Sequence, residues 1–236
     1  DPGITVLELI DPGELEPSYR NHMQNYRAHG TVAKVQLALS ALPEFIGLTE
    51  NCAKETLSGR IHIGPEIDYL ERAFDAAKYG DISPQPYLDI RIPSLNDSTL
   101  APGGAHVMSI HAQFAPYDLK DGDWNSRREE LGDIVVRTLS DYAPNVRELI
   151  VGRQVITPFD LEQTYGLRRG HIHHGEQSLD QFFAFRPLIG WAQYRTPIKG
   201  LYLCSAGTHP GGGITGAPGA NAAREVISDF KRGNRK

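Results

Sequence analysis

Polar and apolar positions alternate with a period of two over Thr31–Ser40, where Val35, Leu37 and Leu39 oppose Lys34, Gln36 and Ala38. That pattern predicts a half-buried strand. A second clean alternation runs over His106–Phe114. Met108, Ile110, Ala112 and Phe114 form one face, and Val107, Ser109, His111 and Gln113 the other. This second face is unusually mixed, as the lining of a cavity or an exposed sheet face would be. Shorter strands are predicted at Ile4–Ile10, Ser58–Gly64 (Ile61 and Ile63 inward, His62 outward), Tyr87–Ile92, Ile150–Thr157 and Leu201–Cys204. Helical spacing appears over Leu15–Ala28. It recurs from Pro65 or Glu66 to Gly80, with Ile67, Leu70, Ala73, Phe74 and Ala77 as the stripe. It appears again from Asp123–Trp124 to about Tyr142, burying Trp124, Leu131, Ile134, Val135 and Leu139. Strands interleaved with helices predict an α+β or α/β body.

The last segment has a different character. Leu201–Cys204 runs into a glycine-dense loop, Ala206–Gly216, and then into Ala220–Phe230, with Ala222, Ala223, Val226, Ile227 and Phe230 at helical spacing. Strand, glycine loop and helix are the usual way to build an anion site; the alternative is a glycine-rich turn that only packs a helix onto a strand. Glycine lets a ligand approach the backbone, and the helix start offers unpaired N–H groups and partial positive charge. Gly211, Gly213 and Gly216 match G-x-G-x-x-G literally. A dinucleotide fingerprint also needs a following strand with an acidic residue about 20 positions on, and the sequence stops at Lys236.

Charge and cysteine use narrow the classes. The 236 residues carry 24 Lys and Arg against 29 Asp and Glu, a net charge of −5, which argues against a nucleic-acid binder. No apolar run approaches the ~20 residues of a membrane span. Cys52 and Cys204 form no Cys-x-x-Cys pair, and Cys204 reads as a small buried hydrophobe. A reducing cytoplasmic location fits that usage.

Cys204-Ser-Ala-Gly-Thr-His-Pro-Gly-Gly-Gly-Ile-Thr-Gly-Ala-Pro-Gly219 resembles the C-terminal flavin motif of the phytoene desaturase-like flavoproteins. Within them it is most similar to the group named for pyridine nucleotide-disulphide oxidoreductase domain-containing proteins. Ser58–Pro65, Ala115-Pro-Tyr117, His174-Gly-Glu176 and Tyr194–Cys204 extend the resemblance over essentially the whole chain. It implies FAD as cofactor, contacted by Gly207, Thr208, Gly212, Gly213, Ile214 and Thr215. It implies a mixed-sheet substrate domain with flanking helices over 1–190, and the closing strand, glycine loop and helix of a flavin domain over 191–236. The N-terminal dinucleotide-binding βαβ of such proteins has no counterpart here. The chain, which starts at Asp1, is therefore expected to be the C-terminal half of a longer flavoprotein. The implied reaction is dehydrogenation or isomerisation of an apolar, carotenoid-like or amine-bearing small molecule. The missing half of the same protein and a second copy are the expected macromolecular partners.

Other candidates rest on residues alone. His171, His173, His174 and Glu176 are the densest ligand-type cluster, and hydrogen bonding is the plainer reading than metal binding. His209 lies inside the flavin-type loop. Phe182, Phe183, Phe185, Trp191 and Tyr194 either wall an apolar channel or pack the core. Neither a Gly-x-Ser-x-Gly elbow nor a P-loop is present, so acyl transfer and nucleotide hydrolysis lack support. No catalytic acid or base can be named. The alternative to an oxidoreductase is a non-catalytic module that binds an apolar ligand or assembles with a partner.

Overall fold

The computed structural model describes residues 1–48 and 55–233; Cys52 and residues 234–236 lie outside them. In chain order the principal elements are α1 (Pro17–Gln24), β1 (Val32–Leu39), β2 (Ile61–Ile63), α2 (Ile67–Lys78), β3 (Tyr87–Arg91) and β4 (His106–Gln113). They continue with α3 (Trp124–Ser140), β5 (Ile150–Ile156), α4 (Pro158–Tyr165) and α5 (Ala217–Gly233). The chain forms two compact units. One is continuous, Gly30–Asp160. The other joins Asp1–His29 to Leu161–Lys236.

The continuous unit is built on a five-stranded sheet in the order β2-β3-β4-β1-β5. Every pairing is antiparallel, so the expected mixed sheet is corrected to an antiparallel one. The period-two reading holds. Val35, Leu37, Leu39, Met108, Ile110 and Ala112 are at most 1% exposed and share the core face. On α3, Asp123 caps the first turn by accepting from the Ser126 N–H at 2.8 Å, and Trp124 donates its indole N–H to the Pro116 carbonyl at 3.0 Å. Leu131, Ile134, Val135 and Leu139 are buried below it as expected. Gly132 allows the helix to lie close on β5, since a Cβ there would come within 2.9 Å of Val155.

Two expectations for this unit change at α2. The helix ends where predicted, at Gly80 with φ of 79°. The Gly80 N–H bonds the Ala77 carbonyl and the Asp81 N–H the Ala76 carbonyl, the paired bonds of a Schellman cap. Its buried face, however, is Tyr69, Ala73 and Ala77, while Ile67 is 81% and Phe74 44% exposed. Tyr69 is buried with its hydroxyl donating to the Pro86 carbonyl at 3.0 Å, and Phe74 packs edge-on to Phe114 at 5.3 Å.

The discontinuous unit has a small core of Val6, Leu15, Tyr19, Met23, Tyr26 and Leu188. Ile4–Ile10 is not a strand. Pro2–Ile4 and Thr5–Leu9 are helical, because the Asp1 carboxylate accepts from the N–H groups of Gly3 and Ile4 at 2.7 and 3.2 Å and Pro2 is already set for a first turn. The expected strand Leu201–Cys204 is reduced to one bridge, Arg195 to Tyr202, and Cys204 is exposed rather than buried. The segment folds back on 194–196 through two backbone bonds, from the Thr196 N–H to the Leu201 carbonyl at 3.2 Å and from the Leu203 N–H to the Tyr194 carbonyl at 2.7 Å, without a longer ladder among the described residues.

Leu37→Ala is expected to cost about 2–5 kcal/mol through lost burial and a residual cavity. Ile67→Ser should change stability by less than about 0.5 kcal/mol. Urea denaturation of the two variants reads the difference.

Candidate functional site

The glycine loop packs beside the histidine segment that begins at His171, and one side chain holds both. Arg186 is fully buried. Its guanidinium donates to five carbonyl oxygens, those of His173, Gly175, Glu176, Gln181 and Ala206, at 2.7–3.4 Å. No carboxylate pairs with it among the described residues. All five guanidinium N–H groups can thus be matched without a counter-ion. Burial pulls its pKa down, yet a guanidinium stays protonated.

Around this anchor the packing is tight. A Cβ on Gly212 would sit 2.6 Å from His173 Nδ1. One on Gly207 would overlap the Pro2 ring, and one on Gly175 would overlap the Tyr26 phenol. Tyr26 donates its hydroxyl to the His174 carbonyl at 3.0 Å, and His174 Nδ1 lies 3.2 Å from the Ser205 hydroxyl. Burial, with the neighbouring His173, lowers the His171 pKa to about 4. Burial, and then nearby positive charge that includes Arg186, lowers that of His174 to about 4. His173 is lowered in the same sense, by burial and then by Arg186. These imidazoles are neutral near pH 7. Among the described residues no group of three or more His, Cys, Asp or Glu side chains is placed to hold a metal ion. Glu176 is instead committed to Arg27 at 3.1 Å and His29 at 2.8 Å.

The six residues expected at the flavin fall into two sets. Gly207 and Thr208 are buried, and the Thr208 hydroxyl donates to the Ser205 carbonyl at 2.9 Å. Gly212 is half-buried, while Gly213, Ile214 and Thr215 are exposed in front of α5. The backbone N–H groups of residues 212 to 216 donate to no described residue. Gly213 (φ 113°), Gly216 (φ 71°) and Ile214 (φ 57°) all take the left-handed region, a strained choice for a β-branched residue. Thr215 caps the helix start by accepting from the Ala217 N–H at 3.2 Å. The loop is tied to α5 through Asn221, which donates to the Tyr194 hydroxyl at 2.8 Å. That hydroxyl in turn donates to the His209 carbonyl at 2.8 Å. Arg195 fixes the helix by pairing with Asp229 and Glu225 at 2.7 and 2.6 Å.

His209 is bound to the loop through its backbone, and its Nδ1 is buried with no partner among the described residues. The aromatic stretch divides. Tyr194 is buried and Trp191 packs edge-on to Tyr19 at 5.1 Å, whereas Phe183 and Phe185 are 61% and 43% exposed. Arg186, the residue this site depends on, does not stand out in the sequence. One signal is there: a charge set between Phe185 and Pro187-Leu188-Ile189 sits in an apolar run.

No protein-family model matches the chain. Pyridine nucleotide-disulfide oxidoreductase domain-containing protein 2 of Rattus norvegicus is 37% identical over 98% of this chain and 41% of its own length. A limonene dehydrogenase component of Castellaniella defragrans is 28% identical over 98% and 43%. Phytoene desaturase (lycopene-forming) of Pantoea ananas is 32% identical over 58% and 27%. A solved oxidoreductase from Methanosarcina mazei superimposes with a TM-score of 0.49 at 16% identity, over 91% of this chain and 36% of that one. The chain spans about two-fifths of the length of the first two relatives.

Replacing Arg186 by Lys leaves at most three donors for the five carbonyls, and should destabilise this unit by about 3 kcal/mol or more. Limited proteolysis after Lys and Arg would report cleavage confined to 1–29 and 161–236. The buried histidines also set an acid limit. Their pKa values are lower in the fold than the ordinary 6.5, so the unfolded chain binds more protons between about 6.5 and about 4. Stability is full above that window and falls as pH drops through it. Asp180, drawn to about 2 by Arg27, and Asp229, drawn to about 2 by Arg195, add a second loss between 3.8 and about 2. A His171→Gln, His174→Gln double variant should flatten the first window of an acid-unfolding curve and leave the second.

Proposed function

This chain belongs to the group of pyridine nucleotide-disulfide oxidoreductase domain-containing proteins and phytoene desaturases, and on that footing we propose that it is the C-terminal part of an FAD-dependent oxidoreductase. One observation carries the reading. Residues 212 to 216 present consecutive backbone N–H groups without an acceptor among the described residues, and they lead into the start of α5. The residues fit an anionic or carbonyl-edged group. A Cβ on Gly216 would meet nothing within 4 Å, so the backbone is open to close approach. Bound there, FAD supplies the hydride acceptor, and the protein supplies orientation and electrostatics.

The residues then have distinct parts. Gly212, Gly213, Ile214 and Thr215 would donate backbone N–H groups. Gly207 and Thr208 would shape the turn beneath them. The buried Arg186 charge and the α5 start would favour negative charge on whatever the loop holds. The segment 191–236 is the flavin part of this reading and 1–190 mainly the substrate part. We extend the flavin side to 161–190, because the histidine segment and Arg186 fold with the glycine loop. The reaction is dehydrogenation or isomerisation of a small organic molecule.

A second reading, an assembly module, draws on α5, where Val226, Ile227 and Phe230 are 39%, 53% and 72% exposed. The visible spectrum of the protein that carries this sequence, at its full natural length, decides between them. Bands near ~370 and ~450 nm that survive desalting are expected. Gly213→Val, which puts bulk on the open side of the loop, should weaken FAD binding by about tenfold or more, and Ile214→Gly should not. A colourless protein that sediments as a dimer would favour assembly instead.

A further inference from the structure

The sheet of the continuous unit has a second face, and its chemistry is specific. Antiparallel register places His62, Asp89, His111 and Lys34 side by side in one row across β2, β3, β4 and β1. The next row along holds Arg91, Ser109 and Gln36. Directly paired residues on one face lie within about 5.5 Å, and the next row within about 7–8 Å.

Charge on this face is unbalanced. Asp89 is the single carboxylate in these two rows, and Arg60 takes it at 3.0 Å, with His62 at 3.7 Å. Lys34 and Arg91 have no ion pair among the described residues. Between them stands His111, half-buried, in register with Lys34 on one side and Asp89 on the other, and in no ion pair among the described residues. Burial first, and then Lys34, keep its imidazole neutral. A hydrocarbon laid here would strip water from two cations and a histidine and put nothing polar in its place. A carboxylate would meet both cations and a hydrogen-bonding ring. Val32 and Ile156, half-buried beside Lys34, offer apolar footing for the rest of such a molecule.

We propose that this face binds a small amphiphilic molecule through its carboxylate, held by Lys34 and Arg91 across His111, with an apolar body resting on Val32 and Ile156. It takes from the oxidoreductase reading only that the bound molecule is the substrate. That substrate class is a carboxylic acid with an apolar chain or ring rather than a pure hydrocarbon. Oxidation would occur on the apolar body, and the carboxylate would set its register.

The test is calorimetric titration of the protein that carries this sequence, at its full natural length, with decanoate and, separately, with 1-decanol. Decanoate should bind at least about tenfold more tightly, as a charge-assisted contact would give. Lys34→Gln combined with Arg91→Gln should abolish that preference. Lys34→Arg should keep it, as should Lys199→Gln in the other unit. Equal affinity for the two probes overturns the proposal. So does absence of binding, or a preference that survives the double variant. FAD titration of the same proteins separates the two ideas. Decanoate selectivity without FAD binding sinks only the oxidoreductase reading. FAD binding without selectivity sinks only the carboxylate site.

Discussion

A guanidinium withdrawn from water has to find acceptors for every N–H it carries, and Arg186 finds them all in the backbone. That requirement shapes the discontinuous unit. The carbonyls of His173, Gly175, Glu176 and Gln181 converge only if the chain from 173 to 181 curls around one point. Gly175, with φ of 131°, permits the curl and leaves its side-chain space to Tyr26. The Ala206 carbonyl joins from the glycine loop, so the loop's position follows from the same group. A carboxylate would have neutralised the charge; carbonyl dipoles solvate it and leave it positive. The field is therefore felt by whatever approaches the open N–H groups of 212 to 216.

Much of the continuous unit was legible in the sequence because it obeys one strong rule. Strands with one wet and one dry face write their register in alternate residues, and Val35, Leu37, Leu39, Met108, Ile110 and Ala112 do so without exception. Gly80 and Asp123 mark helix ends by equally local chemistry. The misreadings share a cause. At Ile4–Ile10 and Leu201–Cys204 the apolar runs are β-prone, but a strand needs a neighbour, and sequence does not show whether one arrives. On α2, Ala73 and Ala77 of the apolar stripe are buried as read, and Tyr69 is buried where Ile67 was expected. The glycine loop and the helix after it were legible from glycine density and helical spacing. Arg186 was not, since a lone arginine looks alike on a surface and in a carbonyl cage.

The two units solve polarity in opposite ways. In the continuous unit, polar groups are sorted by face, and excess charge gathers on the side of the sheet away from its core. In the discontinuous unit, with little regular structure, polar groups are absorbed one by one. Arg168 reaches the carbonyls of Met23 and Gln24 at the end of α1, at 3.0 and 3.3 Å, and Arg195 gathers Asp229 and Glu225. Such a unit tolerates few substitutions at its arginines and many on its surface.

The split of that unit between two distant stretches of sequence also orders events during synthesis. Arg27 meets Glu176, a residue 149 positions further along the chain. At a ribosomal pace of about 5–20 residues per second, the stretch 1–29 waits about 7–30 seconds for these contacts. During that wait Val6, Tyr19 and Met23 lack Leu188, the later member of the core they share, whereas 30–160 can close on itself as soon as β5 emerges. The nascent chain thus carries a folded body joined to a stretch that still waits for its later contacts. That segment is where a chaperone would have most to hold, and where crowded ribosomes on one message would most readily tangle.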